Sequence, residues 1–341
     1  MIQVEATIES ARRGPGLRAD LRTAVLDATA ALLITAAIFA WLYARVRSGT
    51  SATLAVMPYL ADADTYLMYW LCQAFGWTAL LWAWLTTVLG LVRSSARPAW
   101  SRLSPVAVER WHRATSLTTI GLMFAHAFWF FAELVRSNEH GLDWAGRFGT
   151  AFVEVFVPGG YQSGTGRVAI LLGLLAFYLA IPLGLAYYLR ARTGARVWRA
   201  LHRFVIAVYV LSVWHTLLYG TNVWFDGWPR TTLWVLQLPV AALLLARLLA
   251  PARPAERLGR TRGVLVTGRR AVALLAVVGA IGALVAVVVS GRDGGRTPGA
   301  HHSAGLSVLP WMVWLGFAVF TVAVVVAVAL VRRAERGSPV R

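Results

Sequence analysis

Eight apolar stretches run to membrane-spanning length, at about 21–43, 66–92, 108–135, 167–190, 198–220, 231–250, 271–290 and 310–331. A helix rising about 1.5 Å per residue needs roughly 20 such residues to cross the hydrocarbon core of a bilayer. Inside that core every backbone N–H and C=O must find its partner within the segment, which leaves the α-helix as the form these runs take. The expected fold is therefore an all-α integral membrane protein of about eight transmembrane helices. With 58% of the chain hydrophobic and only 14% charged, composition excludes both a disordered chain and an ordinary soluble globule. Pro182 and Pro239 fall inside two of the runs and are expected to kink those helices.

Orientation is read from the basic residues. All 33 are arginine, against 15 acids. Such an excess can mark nucleic-acid binding, but these arginines cluster between apolar runs, where they set topology instead; no nucleic-acid partner is expected. With the N-terminus inside, 25 arginines fall on the cytoplasmic side and 8 on the other. The split places both termini in the cytoplasm and agrees with an even number of spans in the cell membrane. The first 20 residues are polar, with no short apolar core before a cleavage site, so no signal peptide is read. The single cysteine, Cys72, has no internal disulfide partner and reads as a small buried apolar residue.

Chemistry is concentrated in four of the seven histidines. His112 and His126 lie in the third span and His202 and His215 in the fifth, at spacings of 14 and 13 residues. Each pair is separated by roughly 20 Å along its helix. Both spans run inside to outside, so His112 and His202 share a depth near the cytoplasmic face, and His126 and His215 share one in the outer half. Two histidines on facing helices at one depth can supply both axial ligands of a haem, and two levels make two stacked haems. Fourteen residues return nearly to one helix face, but thirteen do not. A local bulge, a tilt or a ring rotamer must absorb the difference in the fifth span. A single intramembrane histidine can equally serve as a proton relay or an interhelical hydrogen-bonding group; the paired pattern favours haem.

The segments Trp111-His112-Arg113 with His126, Trp198-Arg199-Ala200-Leu201-His202-Arg203-Phe204, and Trp214-His215-Thr216-Leu217-Leu218-Tyr219-Gly220 resemble the ferric reductase-like transmembrane family, which includes the membrane part of NADPH oxidases. The resemblance covers about residues 66–250, and the two histidine spacings are those of the family's haem ligands. It implies a six-helix bundle with two b-type haems, the inner held by His112 and His202 and the outer by His126 and His215. It also implies electron flow from a cytosolic flavin to an acceptor outside. The sequence departs from the fuller members, which append a cytosolic FAD and NADPH module; here two more apolar runs follow. The chain divides accordingly into a cytoplasmic tail (1–20), a haem-binding core (21–250), an Arg-rich cytoplasmic linker (251–270), two additional transmembrane helices (271–331) and a second tail (332–341).

Other residues support this frame. Arg113, Arg199 and Arg203 stand beside the inner ligands and can pair with haem propionates, or simply anchor the helices at the cytoplasmic face. Gly121 and Gly173 can make room for a macrocycle or for helix packing. Phe124, Phe128, Trp129, Phe204, Tyr209 and Trp214 are candidates to line the haem planes, and Trp224, Trp228 and Trp311 for an outer aromatic belt. Glu133, Asp226, His140, His301 and His302 are candidates to gather a metal near the outer haem, although a flexible polar loop explains the last two as well. No carboxylate pair or nucleophile–base arrangement supports hydrolysis.

The expected function is transmembrane electron transfer by a cytochrome b, as an oxidoreductase or its membrane subunit. The donor is a cytoplasmic flavoprotein, an FAD or FMN held on a partner or at the cytoplasmic face, or quinol. The acceptor is a ferric chelate, oxygen or a redox protein outside. The rivals are a quinol-linked cytochrome, a haem-holding assembly subunit, and a transporter or proton conductor built on intramembrane histidines.

Overall fold

The computed structural model describes residues 16–94, 104–162, 166–225, 227–249 and 309–336, with a few helical positions between 271 and 282. Every regular element among them is helical. The main ones are α1 (Leu17–Arg47), α2 (Leu67–Ser94), α3 (Pro105–Ser137), α4 (Trp144–Phe156), α5 (Gly166–Leu185), α6 (Ala195–His202), α7 (Ile206–Tyr219), α8 (Trp228–Val235), α9 (Gln237–Leu249) and α10 (Pro310–Arg336). Seven helical spans are long and apolar enough to cross a membrane, two of them built from consecutive pieces, α6–α7 and α8–α9. These match seven of the eight runs read from the sequence. The remaining run, 271–290, the linker 251–270 and the N-terminal tail lie essentially outside the described residues.

The spans alternate in direction. At one end the start of α1, the end of α2, the start of α3 and the turn after α5 are tied together by Arg113–Asp20, Arg93–Glu109 and Tyr188–Asp20 contacts. This is the arginine-rich end. At the far end Thr53 meets Thr221, Tyr161 meets Tyr219, and Trp41 packs on Trp228. α2 packs against α1, α3, α7 and α9, and α5 against α3 and α7. Lipid gives apolar side chains little reason to leave it, so helix contacts rely on small residues and polar pairs. Ala31, Ala74 and Ala176 are fully buried, and Thr35 donates to Thr78 at 2.9 Å between α1 and α2.

Local chemistry sets the ends and breaks. Ser104 caps α3 by accepting from Ala107 N–H at 3.0 Å, with Pro105 in its first turn. The helix stops at Asn138, which adopts the left-handed conformation (φ 42°) and hydrogen-bonds Leu142 in both directions. The sixth span breaks at Leu236: Pro239 has no N–H to offer the Val235 carbonyl, so α8 ends there and α9 begins. Pro182, by contrast, is carried within α5, which ends three residues later.

The long connection 136–166 is not only loop. Asp143 accepts from Gly146 N–H and starts α4, whose Phe148 and Phe156 pack on Phe131 of α3 at ring-centre distances of 5.0 and 5.8 Å. Trp144, Phe152 and Val153 remain exposed, as suits a short helix lying along a membrane interface. Burial raises the Glu154 carboxyl on this helix, with His140 opposing the shift. α10 packs on α5 and α6, and its Phe320 meets Phe204 edge-on at 5.5 Å.

Candidate functional site

The four histidines are delivered by two structures of different regularity. α3 is continuous over 33 residues, so His126 lies about 40° from His112 around its axis. The fifth span is interrupted: a 3-10 turn at Arg203–Val205 separates α6 from α7. In an unbroken helix His215 would sit about 140° from the face of His202. Three residues advancing about 120° each, instead of 100°, recover roughly 60° of that offset. The remainder falls to the side-chain rotamers.

The result is two facing pairs. The His112 and His202 rings stand 5.8 Å apart, centre to centre, at 81°; those of His126 and His215 stand 5.9 Å apart at 76°. Metal–imidazole bonds of roughly 2 Å place two rings that share one metal about 6 Å between centres. Three of the rings are tied back to a neighbouring backbone: His112 Nδ1 to Thr86 O at 3.0 Å, His126 Nδ1 to Cys72 O at 2.8 Å, and His215 Nδ1 to Ala169 O at 2.7 Å. A carbonyl only accepts, so in each Nδ1 carries the proton and Nε2 keeps its lone pair, the form in which imidazole binds a metal.

Glycines make these contacts reachable. The acceptor carbonyls sit four residues before Gly90, Gly76 and Gly173, where a side chain would cover them. A Cβ on Gly76 would lie 2.9 Å from His126 Nδ1, one on Gly90 3.0 Å from His112 Cε1, and one on Gly173 2.8 Å from His215 Nδ1. Gly76 and Gly90 are 14 residues apart on α2, the same spacing as the histidines they face on antiparallel α3. That match was available in the sequence and is the signal that marks them.

Each pair opens on a cavity. The one between His126 and His215 has about 1180 Å³ of empty space, open mouth included, and is walled by residues such as Trp77, Met123, Phe130, Leu174 and Phe177. Its polar lining is neutral, including Tyr69, Gln73, Ser212, Thr216 and Tyr219. The one between His112 and His202 is smaller, about 400 Å³, and is lined by Arg93, Arg113, Tyr187, Tyr188 and Trp198.

The smaller cavity is bordered by an ion network. Asp20 is 3% exposed. It pairs with Arg113 Nε at 3.3 Å and accepts from Tyr188 at 2.9 Å. Arg113 also bonds Glu109 at 3.0 Å. Burial, reinforced by the Asp20 carboxylate, pushes the Tyr188 phenol well above its usual range. Two buried donor-capable nitrogens of this cavity, Trp198 Nε1 and His202 Nδ1, have no partner within hydrogen-bond geometry, although the Leu183 carbonyl stands near His202. Leaving such groups unpaired costs about 1–3 kcal/mol each, so the site suits a ligand that brings acceptors. The paired imidazoles, the glycine clearances and these open donors together fit a macrocycle with axial sites for two histidines and peripheral carboxylates.

The residues expected at the site divide. Arg113 lines the smaller cavity, but Arg199 and Arg203 are not among its lining residues; Arg93, missed in the sequence, is. Gly173 faces His215, while a Cβ on Gly121 would meet nothing. The aromatic candidates also lie elsewhere. Phe124, Phe128 and Trp214 are exposed on the outer surface, Tyr209 is hydrogen-bonded to Gln237, and Phe204 packs against α10. The cavity walls are instead aromatic at Tyr69, Trp77, Phe130, Phe177 and Tyr219. Trp224, placed in an outer belt, is buried and donates to Leu217 O at 3.1 Å; Trp228 and Trp311 are exposed as a belt requires. Glu133 is held by Arg136. Among the described residues no three His, Cys, Asp or Glu side chains gather to hold a metal ion; Asp226, His301 and His302 lie outside those residues. Cys72 is buried, and its carbonyl serves His126.

Residues 75–213 match the family model of the ferric reductase like transmembrane component. The matched segment is less than half the chain and contains His112, His126 and His202; His215 lies two residues beyond it. No curated protein and no solved structure matches the chain. The similarity points to transmembrane electron transfer in a family that generally binds haem.

Proposed function

We propose that the protein is a bis-haem b electron conduit in the cell membrane. It would link a cytoplasmic donor to an acceptor outside. The observation that carries this reading is the double pairing of histidines at 5.8 and 5.9 Å, with the ring nitrogens of three already committed to backbone carbonyls. His112 and His202 would hold one haem and His126 and His215 the other. Haem iron, when bound, would supply one-electron chemistry at each level.

The chain's own residues define how the sites are approached. The arginine-rich end faces the cytoplasm on the positive-inside rule, with both termini there. Trp198 stacks on His202 at 5.6 Å and 27°, Tyr187 meets Trp198 edge-on at 5.6 Å, and Arg190 lies 3.7 Å over the Tyr187 ring. Contiguous aromatic contacts therefore run from the ligand pair toward the surface where a flavoprotein, a free flavin or quinol would deliver electrons. At the far end the wall around the His126/His215 pair is uncharged and largely apolar. A ferric chelate, oxygen or a redox protein would be reduced from that side.

The test is an oxidised-minus-reduced absorption spectrum with haem quantitation on purified protein. About two low-spin b haems per chain are expected, one lost on changing either member of each histidine pair to alanine. Protein made with ample haem supply that contains none, yet moves ions in vesicles, would replace the conduit with a transporter.

A further inference from the structure

Trp198 is not explained by packing alone. It lines the smaller cavity beside Arg93 and Arg113, its ring lies nearly parallel to the His202 imidazole (27°, 5.6 Å), and its indole N–H is buried with no acceptor. Indole is a donor only, so nothing it does alone can satisfy that nitrogen. A buried Trp normally finds an acceptor for its N–H. His202 is also the one member of the four whose Nδ1 lacks a carbonyl at hydrogen-bonding distance and angle. The Leu183 carbonyl near it falls short of that geometry, and Trp198 is the ring stacked on it.

We propose that Trp198 is a cofactor-positioning residue: its indole N–H donates to a carboxylate of the haem at the His112/His202 level, while its ring holds the plane of His202. Two guanidinium groups in the same lining, although each also meets a carboxylate, favour an anionic acceptor over a neutral carbonyl. The cavity at the other level contains no charged lining residue, so the arrangement is particular to this end. Trp198 lies four residues before His202, one helical turn, which puts both on one face of α6. The inference rests on the haem reading above and adds a residue that the ligand pattern does not include.

The experiment compares Trp198→Phe with the unaltered sequence in full-length, detergent-purified protein in which His126→Ala and His215→Ala have removed the far-end site. The remaining haem is transferred to excess apomyoglobin, and the release rate and midpoint potential are measured. Phenylalanine keeps a smaller aromatic ring against His202 and removes the donor. Release roughly tenfold faster, with a shifted potential, is expected for a lost hydrogen bond to a charged group. The same substitution in a His112→Ala, His202→Ala background should leave the other haem's release unchanged. Unaltered release and potential in the first background, or equal changes in both, would overturn the role of Trp198 while leaving the haem reading intact. A protein that binds no haem before any substitution would overturn the haem reading itself. A Trp198→Phe protein that has lost its cooperative melt is replaced by Trp198→Leu, which fills the space with no donor; normal release there would likewise reject the proposal.

Discussion

At the far end, both histidines are fixed by backbone: His126 and His215 each reach a carbonyl through the gap left by a glycine, in a wide cavity with neutral walls. At the arginine-rich end only His112 is held that way, and His202 leans on Trp198 within a narrower, cationic lining. The same pair of side chains is thus positioned by shape at one level and by side-chain contacts and charge at the other. A backbone carbonyl cannot be mutated away, but a glycine that exposes it can be filled. An ion network resists added volume but fails when one charge is removed.

On the proposed bis-haem reading, that contrast can be broken most completely at the four histidines. His126→Ala or His215→Ala should abolish one haem, His112→Ala or His202→Ala the other, each halving the haem measured by pyridine haemochrome. Arg113→Ala follows. It strands Asp20, whose side chain is 4% exposed, and removing one partner of a buried pair costs about 3–5 kcal/mol. Thermal unfolding should show the loss, with haem depleted first at the arginine-rich level. Gly173→Ala comes next, because its Cβ would press on His215 Nδ1 at 2.8 Å. Overpacking of about 1–3 kcal/mol should lower far-end haem occupancy or shift its Soret band, whereas Gly121→Ala, facing open space, should do neither. Phe320→Ala removes the ring that α10 places against the 3-10 turn, and a loss on the order of 1–2 kcal/mol should appear as a lower melting temperature. The smallest effect belongs to Phe124→Leu on the exposed surface, within about 0.5 kcal/mol; a large change in either haem there would contradict the cavity walls described above.

Much of this was legible in the sequence. Length and apolarity define the spans because a bilayer demands internally satisfied backbone, and seven of the runs are helices with nearly the read boundaries. The depths of the four histidines follow from helical rise alone. The 13-residue spacing announced an irregularity in the fifth span, and the turn at Arg203–Val205 is one. The short helix Trp144–Phe156 was missed because thirteen residues cannot span a bilayer. Its apolar residues at 144, 148, 151, 152 and 155 nevertheless carry the helical period.

What the sequence determined by itself is the solvent, the helical class and the level at which each histidine sits, because these depend on residue type and on rise along one helix. What the tertiary structure decided is which groups meet across helices: Gly76 and Gly90 against α3, Arg93 in place of Arg199 and Arg203, Trp198 on His202, and the aromatic walls of the cavities. Those contacts depend on the rotation of each helix about its own axis and on its neighbour. Periodicity in a uniformly apolar span leaves that rotation unspecified, since lipid and protein interior solvate the same side chains almost equally well.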